Sequence, residues 1–549
     1  MSSLLRFLLR KAVLSVADRA VTSPVYRWTW RPLADETFIQ ALPEICPADA
    51  ISASDMVSGQ YNLGGRLIET GGISPFALED ADPDWLDDLH SFAWLRHFNE
   101  ATDRSERDFA RTLVLDWIGR YGHFNRQFWS NSLIARRTQN WLRHYELITA
   151  TASDKQKSTI ARTLSVQIQA LKQRSSFEAD PFSRLEASIA LLGVSLCHRD
   201  VDVASLQSRT DGVIRQINKQ LDKDGMHKSR SPKNQFQLLQ YLVPIRLALV
   251  SKSPEAGKRL AEAIDPMHGA LAELTMTTGE PAYFNGTGQL PLELLLSVQF
   301  HAVRRNAAPA RVTAGYGVAQ LGQGKLVCDS GQMPDPEFAA QMHAGGLAFE
   351  FSHGNALIVG NCGPAPGKLR DAAAFRQAAA HSTLSVDDRS PARFGVGPFM
   401  PQRVFPLGAP PAIGVDPNKV SIAMVGHGFE PKYGLTHHRM LSLIDEGRTL
   451  VGQDVLKLGG SSKTSRYFTL RFHLGPGVYA GDIEEQSSIR LETRAGEVWM
   501  FLWEGGVADI EESVRQSVHF GLTRTDQIVI TGDVTGRSEI AWSFTRQPG

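Results

Sequence analysis

The chain has 549 residues, 42% of them hydrophobic and 21% charged, with Lys+Arg and Asp+Glu balanced at 58 each. That is the composition of a folded globular protein, and its net charge supplies no general attraction to nucleic acid or an anionic surface. Roughly 100–200 residues per domain gives an expectation of two or three units. The four cysteines, Cys46, Cys197, Cys328 and Cys362, form no CxxC pair. This argues against a zinc ribbon, a thioredoxin motif or a disulfide framework.

The first segment is MSSLLRFLLRKAVLSVADRA, an apolar run broken by Arg6, Arg10 and Lys11. A secretory signal needs an unbroken apolar stretch of about 7–15 residues and a small-residue cleavage site. Cytoplasmic location is therefore expected, with the periplasm or cell envelope as the alternative. The segment reads as a basic amphipathic helix with two uses, against a membrane surface or against its own domain. No run of about 18 or more apolar residues appears, so no transmembrane helix is expected.

Up to about residue 307 the pattern is helical. WLDDLHSFAWLRHFNEA (Trp85–Ala101) sets Leu86, Leu89, Phe92, Trp94, Leu95 and Phe98 near a 3.6-residue period. The segments at 108–121, 131–150, 182–200, 235–250 and 290–303 behave alike, with Asp, Ser, Gly and Pro between them. From Ala308 onward, short alternating runs are split by Gly, Asn and Asp turns, as in GLAFEFSHGNALIVG and IRLETRAGEVWMFLWEG. This is the signature of an antiparallel sandwich. The fold class expected is therefore α+β and multidomain: an all-α bundle, solenoid or (α/α) toroid over 1–307, then an antiparallel β-sandwich over 308–549.

Several residues invite chemistry. His343 precedes one strand, Asn361 follows the next, and His381 opens HSTLSVDD. Two imidazoles and an amide oxygen at strand ends suit one divalent ion, with zinc the metal such a set admits. The structural alternative is three hydrogen-bonded residues at strand ends. The adjacent His437 and His438 lie on a predicted strand and point to opposite faces, so they share no ligand. The aromatics Trp85, Trp94, Trp117, Phe128, Trp129 and Trp141 either stack on sugar rings or form core. No GxSxG, HExxH or GxxxxGKS motif is present, and GYGVAQLGQG opens a β region rather than a nucleotide-binding turn.

QMHAGGLAFEFSHGNALIVGNCG followed by AAFRQAAAHSTLSVDDRSPARF resembles the heparinase II/III-like lyases. The resemblance implies a helical toroid followed by an antiparallel sandwich, with a cleft between them. It implies cleavage of uronate polysaccharides or oligosaccharides, glycosaminoglycan- or alginate-like, by β-elimination, with no redox cofactor or nucleotide. Such a cleft needs donors that neutralise the uronate carboxylate and a group that takes the C5 proton. His227, Arg230, Asn234, Tyr283 and Asn285 are the candidates. Four of them also have a plain structural reading: Tyr283 as a half-buried ring, Arg230 as a salt-bridged or surface charge, Asn285 as a turn residue and Asn234 as a first-turn polar residue.

The departures from the family pattern are specific. Asn361 stands where an acid is usual, Gly345 where Asp follows the strand-head His, Gln341 where a further His often lies, and Ser382 where Asn is usual. Lys233-Asn234-Gln235 replaces a Tyr-His pair. Three functions follow as expectations: a carbon-oxygen lyase, a non-catalytic glycan-binding or envelope-biogenesis protein, and a glycoside hydrolase. The expected partner is an acidic glycan rather than nucleic acid. The oligomeric state stays open, a dimer included.

Overall fold

The computed structural model describes residues 3–32, 38, 41–101, 103–198, 201–303, 307–367, 369, 371–395, 403–459, 465–484 and 487–548. Two compact units divide the chain. The first comprises Met1–Asp222, Phe236–His268 and Glu293–Ala302, and the second Lys223–Gln235, Gly269–Leu292 and Val303–Gly549. Strands become continuous from Ala310 onward. The second unit nevertheless takes two segments from the helical half, and these carry five of the candidate residues.

The first unit is helical, with helices such as Arg104–Tyr121, Asn131–Arg143, Asp154–Arg174 and Pro181–Cys197. Their starts follow local rules. Ser153 and Gln156 form a capping box, and Asp103, Asp180 and Asp202 each cap a first turn. Trp85–Ala101 is not one helix. It is Pro83–Ser91 followed by a 3-10 helix at Ala93–Asn99, broken where Phe92 takes φ 62° and drops its ring into the core. A hairpin, Gln60–Leu63 with Arg66–Glu69, also interrupts the helices. The six aromatics proposed for stacking are all buried. The Arg137 guanidinium lies 4.2 Å from the Trp117 ring centre and donates to the carbonyls of His90 and Phe128. They are core, not a sugar platform.

The second unit is two antiparallel sheets packed face to face. One has eight strands in the order 412–416, 421–426, 435–444, 449–458, 537–546, 498–504, 488–493 and 478–484. The other has nine, running 507–517, 521–534, 466–474, 356–360, 349–353, 324–329, 316–321 and 310–313, with 384–386 paired to 466–474. The strand Leu435–Ile444 strictly alternates buried residues with half-buried or exposed ones, as period-two packing of one face requires. Between the sheets, Phe349 stacks on Trp542 at 5.4 Å, and Phe472 meets Trp542 and Phe501 edge-on or tilted.

One ion cluster sits in this core. Asp454 accepts from Arg439 Nε at 2.7 Å, from Trp542 Nε1 at 2.8 Å and bonds His437 Nε2 at 2.6 Å. His437 is buried and His438 half-buried, so the two share no ligand. The four cysteines are free and buried.

Candidate functional site

The segment Gly225–Gln235 turns just before the helix Pro232–Lys252 and places its polar side chains inward. His227 is buried; Ser229 donates to its Nδ1 through both the backbone N–H (3.2 Å) and the hydroxyl (2.7 Å). Asn234 Nδ2 donates to the same hydroxyl at 3.1 Å. Burial depresses the His227 pKa to about 3, so this ring is neutral near pH 7.

Arg230 is spent on the protein itself. Its Nε donates to the Ala314 carbonyl at 2.9 Å, one terminal nitrogen to the Gln332 carbonyl at 2.6 Å, and the other to Asp329 Oδ1 at 2.7 Å. Its guanidinium also stacks 4.4 Å from the Tyr316 ring centre. Asn285 closes the circuit. Its Nδ2 donates to Tyr316 Oη at 2.6 Å and Asp329 Oδ2 at 3.1 Å, and its Oδ1 accepts from the His343 N–H at 3.2 Å. Tyr316 in turn donates to the Arg230 carbonyl. Arg230, Asn285 and Ala314 all have positive φ, at 56°, 51° and 53°. Such backbone costs of order 1–3 kcal/mol per residue and persists where surrounding bonds over-determine it.

The histidine pair continues this network. His381 Nδ1 lies 2.7 Å from the Gln377 carbonyl, which only accepts, so Nδ1 carries the proton. His381 Nε2 then accepts from His343 Nδ1 at 3.1 Å. Burial lowers both pKa values, His381 to about 4 and His343 well below the usual range. Gly345 is part of the same packing. A Cβ there would lie 2.6 Å from the His381 ring, so the Asp usual at that position is excluded by the imidazole itself.

Asn361 does not join the histidines. Its Oδ1 accepts from the Ser382 N–H at 2.9 Å, and its own N–H donates to Glu350 Oε1 at 2.9 Å. Zinc would need the His381 lone pair that His343 already occupies and the Asn361 oxygen that Ser382 already holds. The residues therefore do not fit a metal as they are arranged. Among the described residues no group of three or more His, Cys, Asp or Glu side chains is placed to hold one.

Tyr283 belongs to a second cluster. Glu350, buried in an apolar strand, pairs with Arg515 NH1 at 2.9 Å, and the same nitrogen donates to the Asn361 carbonyl at 2.7 Å. The Arg515 guanidinium lies 3.4 Å from the Tyr283 ring centre. Burial raises the Glu350 pKa against the pull of Arg515. Burial also holds the Tyr283 phenol well above its ordinary value, again against Arg515. Gly363, at φ 80°, leaves room for the ring, since a Cβ there would lie 2.8 Å from Tyr283. The phenol oxygen is 3.4 Å from the Gln516 carbonyl and 3.5 Å from Glu280 Oε2. Sequence reasoning missed Glu350, Arg515, Asp329 and Tyr316. The legible signal was Glu350, an acid inside the buried run LAFEF, which needs a cationic partner somewhere.

A cleft with about 560 Å³ of room opens beside Tyr283, lined also by Glu280, Tyr479, Arg494, Arg515, Phe520, Arg524 and Asp526. Gln289 and Gln516 brace its floor, with Gln289 donating to Glu280 at 2.9 Å and to Gln516 through its N–H at 2.7 Å. Tyr479 and Phe520 are 56% and 79% exposed, large apolar rings facing solvent. Arg524 pairs with Glu512 and Arg515 with Glu350. Among the described residues Arg494 joins no ion pair and is exposed.

A helical unit with a two-sheet antiparallel sandwich defines the class. Residues 304–543, which hold nearly all of the sandwich, match the family model described as heparinase II/III-like, C-terminal. The fold is that of a crystal structure of heparinase III, with a TM-score of 0.70 at 11% identity, covering 98% of this chain and 92% of that one. A heparan sulfate lyase HepC mutant from Pedobacter heparinus gives 0.59 at 13% identity over 98% and 88% of the two chains. In sequence, the chain is 26% identical over 525 residues to FtsZ-localized protein C of Caulobacter vibrioides (strain NA1000 / CB15N), spanning 92% of this chain and 89% of the relative.

Proposed function

We propose that this protein binds a carbohydrate without cleaving it, on a scaffold shared with polysaccharide lyases. One observation carries the reading: the candidates for charge neutralisation are consumed internally. All three Arg230 nitrogens donate to protein acceptors, and Asn285 bonds Asp329, Tyr316 and His343. A uronate carboxylate reaching Arg230 or Asn285 would have to compete with these protein acceptors, a buried ion pair among them, which weakens either donor as a stabiliser of the enolate-like transition state. The cleft beside Tyr283 offers what binding needs: exposed rings of Tyr479 and Phe520 for stacking, and Arg494 for an acidic group. The relative named for its location with FtsZ supports placing this chain there too, as an envelope-biogenesis component rather than a degradative enzyme.

A second reading, β-elimination, has Tyr283 in its favour, because its phenol lines the cleft beside Arg515. Its raised pKa opposes the role, since a base must be able to lose its proton near working pH. A panel of uronate polymers and oligosaccharides separates the readings. The expected result is binding by calorimetry, weakened about tenfold by Tyr479→Ala or Arg494→Ala, with no rise in absorbance near 230 nm from an unsaturated product. A rise abolished by Tyr283→Phe would establish the lyase instead. New reducing ends without that rise would establish hydrolysis.

A further inference from the structure

The helix Ser3–Val21 has two apolar sides, and the fold uses one. Phe7 and Leu14 are half-buried against the unit, and the Asp18 carboxylate fixes the helix through Arg174 Nε at 2.8 Å. The opposite side carries Leu5, Leu9, Val13 and Val16, spaced four, four and three residues apart in one stripe. Their exposures are 46%, 52%, 68% and 66%, whereas a helix end that served only its own domain would show polar groups here. Just beyond the helix, Val25, Tyr26 and Trp28 are also exposed, at 78%, 52% and 62%. Arg6, Arg10 and Arg19 flank the stripe, whereas Lys11 falls on the side of Phe7 and Leu14. The first acidic residue of the chain is Asp18, and it is already paired to Arg174.

We propose that this stripe seats in the surface of an anionic lipid bilayer, with the helix lying in the interface and Tyr26 and Trp28 at headgroup level. An apolar stripe edged by cations, followed by an amphipathic aromatic pair, fits that surface in both polarity and charge. A second copy of the chain fits it poorly, because stripe-to-stripe contact brings two basic borders together. The helix does not cross the bilayer: three cations interrupt its apolar run, and among the described residues no helix is long and apolar enough to span a membrane. Anchoring here is independent of whether the cleft of the second unit binds or cleaves a glycan.

The test is co-sedimentation of the full chain with vesicles of phosphatidylcholine alone or mixed with phosphatidylglycerol. Pelleting with the mixed vesicles is expected, falling as salt rises. The Leu9→Glu/Val13→Glu variant should lose roughly tenfold or more in partitioning. Arg6→Gln/Arg10→Gln should lose roughly fivefold per charge removed on mixed vesicles. Both variants alter exposed positions, so circular dichroism and thermal unfolding should match the parent. Equal partitioning of parent and Leu9→Glu/Val13→Glu, or no partitioning of the parent, overturns the proposal. So does a stripe variant that turns a dimer into a monomer without changing lipid binding, because a second copy would then be the occupant.

Discussion

Asn285 and Tyr283, two residues apart in the chain, belong to two polar clusters that each hold a buried Arg–carboxylate pair but differ in what surrounds it. Asn285 points into a closed circuit with Arg230, Asp329, Tyr316 and His343. Tyr283 lines a cleft with exposed rings and the Arg494 guanidinium, which joins no ion pair among the described residues. The first is built to hold strained backbone, and the second leaves its surface groups available. Residue types that suit catalysis thus serve stability in one place, while the binding surface we propose is made of residues with no catalytic signature. The difference is one of partners: donors aimed at protein acceptors are not available to substrate.

The largest effect should come from breaking the circuit. Asp329→Asn leaves the Arg230 cation buried against a neutral amide, and a cost of about 3–5 kcal/mol is expected, read by denaturant unfolding. Arg230→Met/Asp329→Leu should cost less than the two single losses added together, because no charge is left stranded. A result near zero for Asp329→Asn would show that the circuit is open to solvent and free to meet a ligand, and the comparison would collapse.

Per residue, a smaller effect is expected from acid. His227, His381 and His473 are buried, with pKa values near 3, 4 and 3 against an ordinary value of 6.5, chiefly through desolvation. Between those values the unfolded chain binds a proton that the folded one does not, so stability falls as pH falls. Each histidine removes about 1.4 kcal/mol per pH unit below 6.5 and contributes nothing above it. Thermal unfolding at pH 7, 6 and 5 reads this slope. A midpoint unchanged from pH 7 to 5 would mean these rings are solvated.

The smallest effect on stability belongs to the cleft. Tyr479→Ala and Arg494→Ala remove exposed groups, so unfolding should shift by no more than about 0.5 kcal/mol while glycan binding drops. A large destabilisation by either would make the cleft wall part of the core and erase the contrast.

Much of the fold was legible because its signals are local. The 3.6-residue and two-residue periods separate the helical half from the sandwich, and Gly354-Asn355 marks the turn between strands Phe349–His353 and Ala356–Gly360. The breaks at Phe92 and His144 were hidden, since the apolar pattern runs through both. The hydrogen bond between His343 and His381, and the turning of Asn361 toward Ser382 and Glu350, depend on packing that no local pattern carries.

What the sequence by itself determined was the order of helices and strands, a basic apolar segment at its start, and a motif carried between residues 341 and 390. Only the tertiary structure decided what each polar side chain is for. Arg230 meets Asp329 across 99 residues, and Arg515 meets Glu350 across 165. A residue's role follows from the partner that satisfies its charge. That partner is set by how the sheets close around it, and no local period encodes it.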